Sequence, residues 1–331
     1  MTKLKWGVLS TAKIGREQVI PAIQRSNNGE VVAIASRGDY VLEVAKAFGI
    51  PKTYTTYQSL LEDDTIEAVY IPLPNSLHKE WVIKAAEHGK HILCEKPIGL
   101  NAAELEEMVA ACQQHGVTLM EAFMYQFHPQ HDKVKTLIAD GEIGDVRFIR
   151  SSFSFVLNGD NNIRLNPELG GGSLYDVGCY TLHIGRYILD AEPTTVYTSA
   201  KIHPEFNVEV SAAGVLTFAG GVHVLFDSSF ESTFRQSYQV VGSNGTIDVD
   251  GAFRPDTMDG GAGKIILKKD NGDVQQFEVE ADQYKLQVEH FVDSIRANQE
   301  PSYSVEKMRG QMKVLDACLA SIKTGTAIPL K

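Results

Sequence analysis

The stretch LKWGVLSTAKIGREQVI, residues 4–20, joins a short apolar run to a helical pattern of apolar residues. The run over 4–10 predicts a β-strand, and apolar side chains then recur at helical spacing from 14 to 23. A second β-branched run, VVAIAS at 31–36, follows this helix. Strand, tight turn, helix and strand make a βαβ unit, which predicts a parallel sheet.

The same alternation continues through the first 123 residues. Further strand-like runs lie at 68–72, 91–95 and 117–123, and helical patterns lie at 41–49, 75–88 and 102–115. Asp39 is placed to cap the helix at 41–49, and Gly49 is placed to end it. Alternating strands and helices with short links predict a doubly wound parallel sheet, the Rossmann arrangement.

Past about residue 145 the pattern becomes rich in β-strands. Strand-like runs occupy 146–156 and 194–202, and turn signals at Ala219-Gly220-Gly221, Asn244-Gly245 and Asn271-Gly272 each separate two such runs. Helices are expected at about 173–189, 283–298 and 304–324. We therefore predict an α/β Rossmann domain over 1–124 and, over 125–331, an α+β domain built on a large, mainly antiparallel open sheet.

Composition narrows the class of protein. Of 331 residues, 43% are hydrophobic and 22% charged, which is typical of globular domains and argues against disorder, collagen-like repeats and coiled coil. The 31 Lys and Arg are outnumbered by 42 Asp and Glu, and the formal net charge of −11 opposes binding to nucleic acid or an anionic membrane. Partners are expected to be a small molecule or further copies of the chain.

The cysteines and the apolar stretches indicate a cytoplasmic protein. None of the four cysteines forms a C-x-x-C pair, so we expect reduced thiols. No signal-peptide-like segment opens the sequence, and no stretch approaches 18 apolar residues. His128, His131 and Asp132 cluster in the sequence, but a helix start explains them better than a metal site, and no metal is assigned.

The turn after the first strand is a candidate dinucleotide site. Such a turn needs small residues so that backbone N–H groups can approach a pyrophosphate. In Ser10-Thr11-Ala12-Lys13-Ile14-Gly15 only the third glycine of G-x-G-x-x-G is present. A plain strand-to-helix turn explains these residues equally well, but their place in the first βαβ unit favours a dinucleotide site.

The end of the second strand indicates which nicotinamide cofactor binds. An acidic residue there bonds the ribose 2′-hydroxyl, whereas Arg accommodates a 2′-phosphate, and this chain has Ser36 and Arg37. Glu30 precedes the strand and would lie at the wrong edge of the sheet. NADP(H) is therefore preferred and NAD(H) is possible. In the alternative interpretation Arg37 only pairs with Asp39 at the surface, worth at most ~1 kcal/mol.

Two further features are candidates for chemistry. Lys96 follows the strand at 91–95 at the end where ligands of open α/β sheets bind, although most lysines are simply solvated. Three glycines at 170–172 lead into a helix that Ser173 is placed to cap. Polar side chains then recur at i, i+4, i+7 and i+11 on one face of this helix, namely Asp176, Tyr180, His183 and Tyr187.

A polar helix face is usually the solvated side, and that interpretation stays open for this helix. Against it, Gly178 and Gly185 each cost ~1 kcal/mol relative to Ala, which indicates that another group approaches the helix closely. The face also carries Asp, Tyr and His without Lys or Glu, unlike an ordinary solvated face.

Short motifs spread along essentially the whole chain are together similar to those of a known protein family. They are Ser10–Gly15, Pro72-Leu73-Pro74-Asn75 with His78, Glu95-Lys96-Pro97, Glu121–Tyr125 with Phe127-His128-Pro129, and Gly170–Tyr180. Together they resemble the Gfo/Idh/MocA oxidoreductases. Tyr180, where other members have His, is similar to the branch of dihydrodiol dehydrogenase, NADP-dependent D-xylose dehydrogenase and glucose-fructose oxidoreductase.

The resemblance implies an N-terminal dinucleotide-binding domain and a C-terminal domain for substrate binding and oligomerisation, with a homodimer or higher homo-oligomer formed through the C-terminal sheet. It makes Lys96 the catalytic lysine and Tyr180 the acid/base group, with Asp176 also at the catalytic centre, either to bind substrate hydroxyls or to orient Lys96. Lys96, Asp176, Tyr180 and His183 are then expected to contact substrate, and His183 departs from the Asp or Asn common in relatives. The expected cofactor contacts are Ser10, Thr11, Ala12, Lys13, Ile14, Gly15, Ser36, Arg37, Pro72, Leu73, Asn75, His78, Glu95, Lys96 and Arg164.

These observations give a first hypothesis of an NADP(H)-dependent oxidoreductase acting on a sugar, cyclic polyol or dihydrodiol-type substrate. Hydride transfer leaves a proton to move at the substrate oxygen, and Tyr180 beside the Lys96 ammonium can move it. Only three residues precede Leu4, so an exchangeable cofactor is expected rather than one wrapped by an N-terminal arm. The alternatives are a non-catalytic dinucleotide sensor and a structural partner-binding module.

Overall fold

Six parallel strands form one sheet in the computed structural model of the chain, which describes residues 2–159, 162–258 and 260–330. They are β1 (Leu4–Leu9), β2 (Gly29–Ala35), β3 (Lys52–Tyr54), β4 (Ala68–Ile71), β5 (His91–Glu95) and β6 (Leu119–Ala122). Their order is β3-β2-β1-β4-β5-β6. Strands such as β4, in which all four residues are buried, suit a sheet covered on both faces. The predicted Rossmann arrangement is confirmed, and its strand order reverses between β1 and β4.

Helices connect these strands. They are α1 (Ile20–Arg25), which continues a π-helical turn over Gly15–Val19, α2 (Tyr40–Phe48), α3 (Tyr57–Leu61), α4 (His78–Glu87) and α5 (Ala102–His115). Gly49 ends α2 in the left-handed conformation, as predicted. Asp39 makes no capping hydrogen bond through its side chain, contrary to expectation, because its backbone is already helical (φ −76°, ψ −15°). The short β3 and α3 carry no periodic pattern that sequence could reveal.

The second sheet has nine strands. Their mainly antiparallel pairing confirms the predicted fold class. Its strands are β7 (Val146–Val156), β8 (Thr195–Ile202), β9 (Glu209–Thr217), β10 (His223–Ser229), β11 (Glu231–Gly242), β12 (Gly245–Asp250), β13 (Ala262–Lys269), β14 (Val274–Glu280) and β15 (Ile328–Pro329). The order is β14-β13-β12-β11-β7-β10-β9-β8-β15, and within the described part of this sheet only β7 and β10 pair in parallel. The three predicted turns join β9 to β10, β11 to β12, and β13 to β14.

Four helices complete the chain. They are α6 (Gln130–Ala139), α7 (Cys179–Leu189), α8 (Gln283–Ala297) and α9 (Val305–Thr324), and a π-helical turn over Leu174–Gly178 leads into α7. A Cβ on Gly185 would lie 2.8 Å from Val224 of β10, and one on Gly178 would lie 3.2 Å from the Ser228 hydroxyl. The close approach inferred from these glycines is confirmed, and the approaching group is the sheet.

Contacts along the chain define two compact units. One contains Met1–Phe127 and Asp282–Arg309, and the other contains His128–Ala281 and Gly310–Lys331. In the first unit, α8 packs on the Rossmann sheet, where the rings of Trp6 and Phe291 lie 5.5 Å apart. The sequence-based division assigned all of 125–331 to a substrate-binding domain, and that assignment of roles stays a prediction. Within the described ranges, no helix has the length and hydropathy needed to cross a membrane.

Candidate active site

The carboxyl ends of β1, β2, β4 and β5 meet at one edge of the parallel sheet. Ser10 follows β1, Ser36 follows β2, Pro72 follows β4 and Lys96 follows β5. Because parallel strands end on the same side, the sequence-predicted cofactor residues of this unit converge there. This edge is the place where doubly wound folds bind their ligands.

The turn after β1 is held by its own side chains. Ser10 has a positive φ of 123°, a conformation that favours glycine, at the place where the first glycine of G-x-G-x-x-G is usual. Its hydroxyl accepts a hydrogen bond from the Ala12 amide at 2.9 Å and lies 3.4 Å from the Pro72 carbonyl. The Thr11 and Ser36 hydroxyls, 3.4 Å apart, connect this turn to the end of β2. Gly15 is buried, and a Cβ atom on it would lie 3.5 Å from the Tyr70 ring and 3.6 Å from Pro72.

Arg37 is exposed at the carboxyl end of β2. Burial raises the pKa of Tyr57, and the Arg37 charge opposes that rise, which places the guanidinium near the start of α3. Arg16 donates to the Thr11 carbonyl at 2.9 Å, and its guanidinium lies 5.6 Å from the centre of the Tyr40 ring. Glu30 proves to be the second residue of β2 rather than preceding it, but it lies at the opposite end of the strand from Ser36.

Two side chains hold the turn that contains Lys96. The Tyr70 hydroxyl donates to Glu95 Oε1 at 2.6 Å, and the Lys96 amide donates to Glu95 Oε2 at 3.3 Å. The Lys96–Pro97 peptide bond is cis. Lys96 itself is partly exposed.

His78 has no exposed surface and lies between two backbone carbonyls. Its Nδ1 atom is 3.0 Å from the Pro97 oxygen and its Nε2 atom is 2.9 Å from the Leu73 oxygen. Burial lowers the pKa of His78 to about 4. A neutral imidazole donates through one nitrogen only, so one of the two carbonyls accepts a hydrogen bond at neutral pH. His78 therefore packs against both the Pro97 and the Leu73 carbonyls and donates a hydrogen bond to one of them.

Glu121 on β6 is fully buried next to the same turn, and sequence reasoning gave it no role. Its Oε1 atom accepts from the Ile98 amide at 3.0 Å. Burial raises the pKa of Glu121 to about 7, against the lowering effects of Tyr303, the Ile98 amide and the Lys96 charge. Its acidic side chain in the apolar run VTLMEAF was the signal that could have identified it.

In the second unit an ion pair joins two of the predicted site residues. Arg164 Nε lies 2.6 Å from Asp176 Oδ2, with the two side chains 38% and 17% exposed. The charge of Asp176 is the main cause of a raised pKa for Arg164, and the nearby Tyr180 adds to it. The Arg164 guanidinium also lies 5.9 Å from the centre of the Phe155 ring. Arg164, Asp176 and Tyr180 therefore form one group.

The ring of Tyr180 is 5% exposed and packs among aromatic side chains. The centres of the Phe153 and Phe253 rings each lie 5.4 Å from it. Farther along α7, His183 is also buried and stacks on Tyr187 with ring centres 5.8 Å apart. Because Tyr180 and His183 are both buried, the interpretation of this face as the solvated side of the helix is wrong.

The start of the helix differs from the prediction. Ser173 does not cap it, because its backbone is already helical, and its hydroxyl lies 3.0 Å from that of Ser228. A carboxylate from β9, Glu209 Oε1, accepts from the Leu174 amide at 3.0 Å instead. Sequence reasoning missed Glu209, which is a lone acidic residue in the strand-like run VEV. Among the described residues, no group of three or more His, Cys, Asp or Glu is placed to hold a metal ion.

Comparisons with known proteins match both halves of the chain. Residues 4–123 match the family model described as an oxidoreductase family with an NAD-binding Rossmann fold, and 131–248 match the GFO/IDH/MocA C-terminal domain. A D-xylose 1-dehydrogenase (NADP(+)) of Haloferax volcanii is 39% identical over 329 residues, 99% of this chain and 100% of that protein. A trans-1,2-dihydrobenzene-1,2-diol dehydrogenase of Xenopus tropicalis is 33% identical over 74% of each chain.

Among solved structures, the 3-ketoreductase KijD10 of Actinomadura kijaniata, in complex with NADP and TDP-benzene, superimposes with a TM-score of 0.92. It is 29% identical, and the match covers 97% of this chain and 98% of that one.

Proposed function

The chain belongs to the Gfo/Idh/MocA oxidoreductase family, and from this premise we propose that it transfers a hydride between NADP(H) and a sugar, cyclic polyol or dihydrodiol-type substrate. The names of the xylose and dihydrobenzenediol dehydrogenases support this range of substrates. One observation in this chain carries the proposal: Asp176, paired with Arg164, lies one helical turn before the buried Tyr180.

The residues of the first unit fit an NADP molecule. Ser10 and Ala12 keep the turn after β1 small, and the first amides of the following helix lack intrahelical partners and suit a pyrophosphate. Arg37 is exposed at the end of β2, where a 2′-phosphate needs a cation. Positions 36 and 37 also carry no acidic residue that would repel the phosphate. NADP(H) is thus the preferred cofactor, with NAD(H) as a weaker one.

Bound nicotinamide would accept or supply the hydride at its C4 atom. We assign the accompanying proton to the Tyr180 hydroxyl, which donates it to the substrate oxygen in reduction and removes it in oxidation. A tyrosine has an ordinary pKa of ~10, so a cation is needed to favour the phenolate, and Lys96 is proposed to supply it.

The remaining site residues are assigned to binding. Ionised Asp176 accepts hydrogen bonds only, which suits substrate hydroxyl groups. Lys96 and Tyr180 would also contact the substrate oxygen. His183 is assigned to the substrate pocket as well, although its ring stacks on Tyr187. Arg164 is assigned to the cofactor, and its pairing with Asp176 gives it a second role in orienting that carboxylate.

Two further assignments complete the proposal. The face of the nine-stranded sheet that carries Tyr197 and Leu225, 45% and 38% exposed, is proposed to join two copies of the chain into a homodimer or larger homo-oligomer. Light scattering after gel filtration measures this directly. The four cysteines are buried and form no disulfide within the described residues, which fits the reducing cytoplasm.

The decisive experiment is a fluorescence titration of cofactor-free protein with NADPH and NADH, followed by turnover assays on aldoses, cyclic polyols and dihydrodiols. We expect tight NADPH binding and NADP-dependent turnover in one of these classes. NADPH binding without turnover in any class would support a non-catalytic sensor instead. Failure of both cofactors to bind would overturn the proposal.

A further inference from the structure

Glu209, the first residue of β9, reaches the start of the helix that carries Asp176 and Tyr180. Its side chain is 7% exposed, and its Oε1 atom accepts a hydrogen bond from the Leu174 amide at 3.0 Å. Leu174 is the first residue of the π-helical turn that precedes α7. Burial raises the pKa of Glu209 to about 7, so ionising this carboxylate is costly where it lies.

The glycine segment Gly170–Gly172, which precedes the helix, packs closely against Glu209 on one side. Gly172 has a φ of 123°, and a Cβ atom on it would overlap both carboxylate oxygens of Glu209. Any residue larger than glycine at 172 would therefore displace the carboxylate or the helix start. This explains the third glycine of the Gly170–Gly172 segment by a direct contact.

On its other side, the glycine segment packs closely against the loop that carries Arg164. A Cβ atom on Gly171 would lie 2.6 Å from the Arg164 carbonyl oxygen, and the Gly172 amide donates to that oxygen at 2.9 Å. The glycine segment is thus in contact with Glu209 on one side and with Arg164 on the other. Arg164 holds Asp176 through the 2.6 Å ion pair.

We propose that Glu209 is a positioning residue: by holding the Leu174 amide and packing on Gly172, it sets where Asp176 and Tyr180 enter the active site. A negative charge near a helix N-terminus is favourable in itself. The inference rests on the functions proposed above for Asp176 and Tyr180.

Three variants separate reach from charge. Glu209→Gln keeps the length and an acceptor oxygen, whereas Glu209→Asp keeps the charge but is one methylene too short to reach Leu174. Glu209→Ala removes both. Because a misplacement of about 1 Å can cost about 100-fold in rate, we expect kcat to fall roughly 10- to 100-fold in Asp and Ala variants and to stay within about threefold in the Gln variant. Glu205→Ala, an exposed glutamate four residues earlier, is the matched control.

Two readouts that do not depend on turnover accompany kcat. NADPH affinity should change less than kcat in all variants, since Arg164 alone among the proposed cofactor residues belongs to the same unit as Glu209. Hydrogen exchange followed by mass spectrometry should show faster exchange over 172–178 in the Asp and Ala variants, with the rest of the chain unchanged and the Gln variant normal.

The outcomes are distinguishable. Normal exchange over 172–178 in the Asp and Ala variants would overturn the inference, as would a loss of kcat that the Gln variant shares or that merely follows a general loss of stability. If the unmodified protein turns over no substrate, the proposed function fails. The exchange data then still decide whether Glu209 fixes the helix start, and faster local exchange supports that part.

Discussion

The guanidinium of Arg164 binds the carboxylate of Asp176 at 2.6 Å, and Asp176 lies one helical turn before Tyr180, whose ring packs against Phe153. Removing either partner leaves the other charge without its main interaction. We therefore expect Arg164→Gln and Asp176→Asn each to lower kcat/KM about 10-fold or more, and the double variant to lose clearly less than the product of the two. The measurement is a double-mutant cycle on kcat/KM. Independent, multiplicative losses would show that the pair has no functional coupling.

Tyr180→Phe tests the proton transfer. The ring packs 5.4 Å from Phe153 and Phe253, so phenylalanine fills the same space and the fold should be kept. General acid–base catalysis contributes about 10²- to 10⁴-fold, and kcat should fall by that order while NADPH affinity stays nearly constant. Tyr54→Phe, which removes the hydroxyl of a partly exposed tyrosine bonded to Asp63, is the control. Unchanged kcat in Tyr180→Phe would remove this residue from the mechanism.

Arg37→Ala tests the choice of cofactor. A charged hydrogen bond to the 2′-phosphate contributes about 1.5–3 kcal/mol, so NADPH should bind roughly 10- to 100-fold more weakly while NADH changes less than about threefold. Lys46→Ala removes an exposed cation from α2 and serves as the control. Both dissociation constants are measured by fluorescence titration. An equal loss for the two cofactors would contradict a 2′-phosphate contact.

Much of this architecture could be predicted because periodicity and turn chemistry determine it locally. The helix predicted over 102–115 is observed as Ala102–His115, and the strand predicted over 146–156 as Val146–Val156. Prediction from local sequence pattern fails where an element is very short, as in β3 and α3. It also fails where a helix packs on a sheet whose strands are distant in the sequence. The second case is that of α8, which belongs with the Rossmann sheet although it follows β14.

The sequence predicted which residues gather at the candidate site, but not which partners their side chains bond. The predicted parallel direction of the strands already placed Ser10, Ser36 and Lys96 at one edge of the sheet. The partners of these residues are long-range: Asp176 binds Arg164, and the Leu174 amide binds Glu209, 35 residues away. The π-helical turn over Leu174–Gly178 also has no counterpart in the periodicity of the sequence. Buried carboxylates such as Glu121 were visible only as single charges in apolar runs.

Glu121 makes stability depend on pH in a defined direction. Its pKa is raised from 4.5 to about 7 in the folded protein, so the folded state holds a proton that the unfolded state releases. Stability is then lost as pH rises from about 4.5 to about 7 and stays lower above that, by about 3 kcal/mol in all. Glu121→Gln cannot ionise, and its amide oxygen can still accept from Ile98.

The free energy of unfolding of Glu121→Gln, measured by urea denaturation, should therefore exceed that of the unmodified protein by an amount that grows between pH 5 and pH 7 and levels off by pH 8. Buried His78, with its pKa lowered to about 4, acts in the opposite direction, because stability is lost as pH falls from about 6.5 to about 4. It is present in both proteins and cancels in the difference. Glu87→Gln, at an exposed position of α4, controls for the loss of one negative charge. A difference that stays constant from pH 5 to pH 8 would mean that Glu121 ionises in the folded protein as readily as in the unfolded chain.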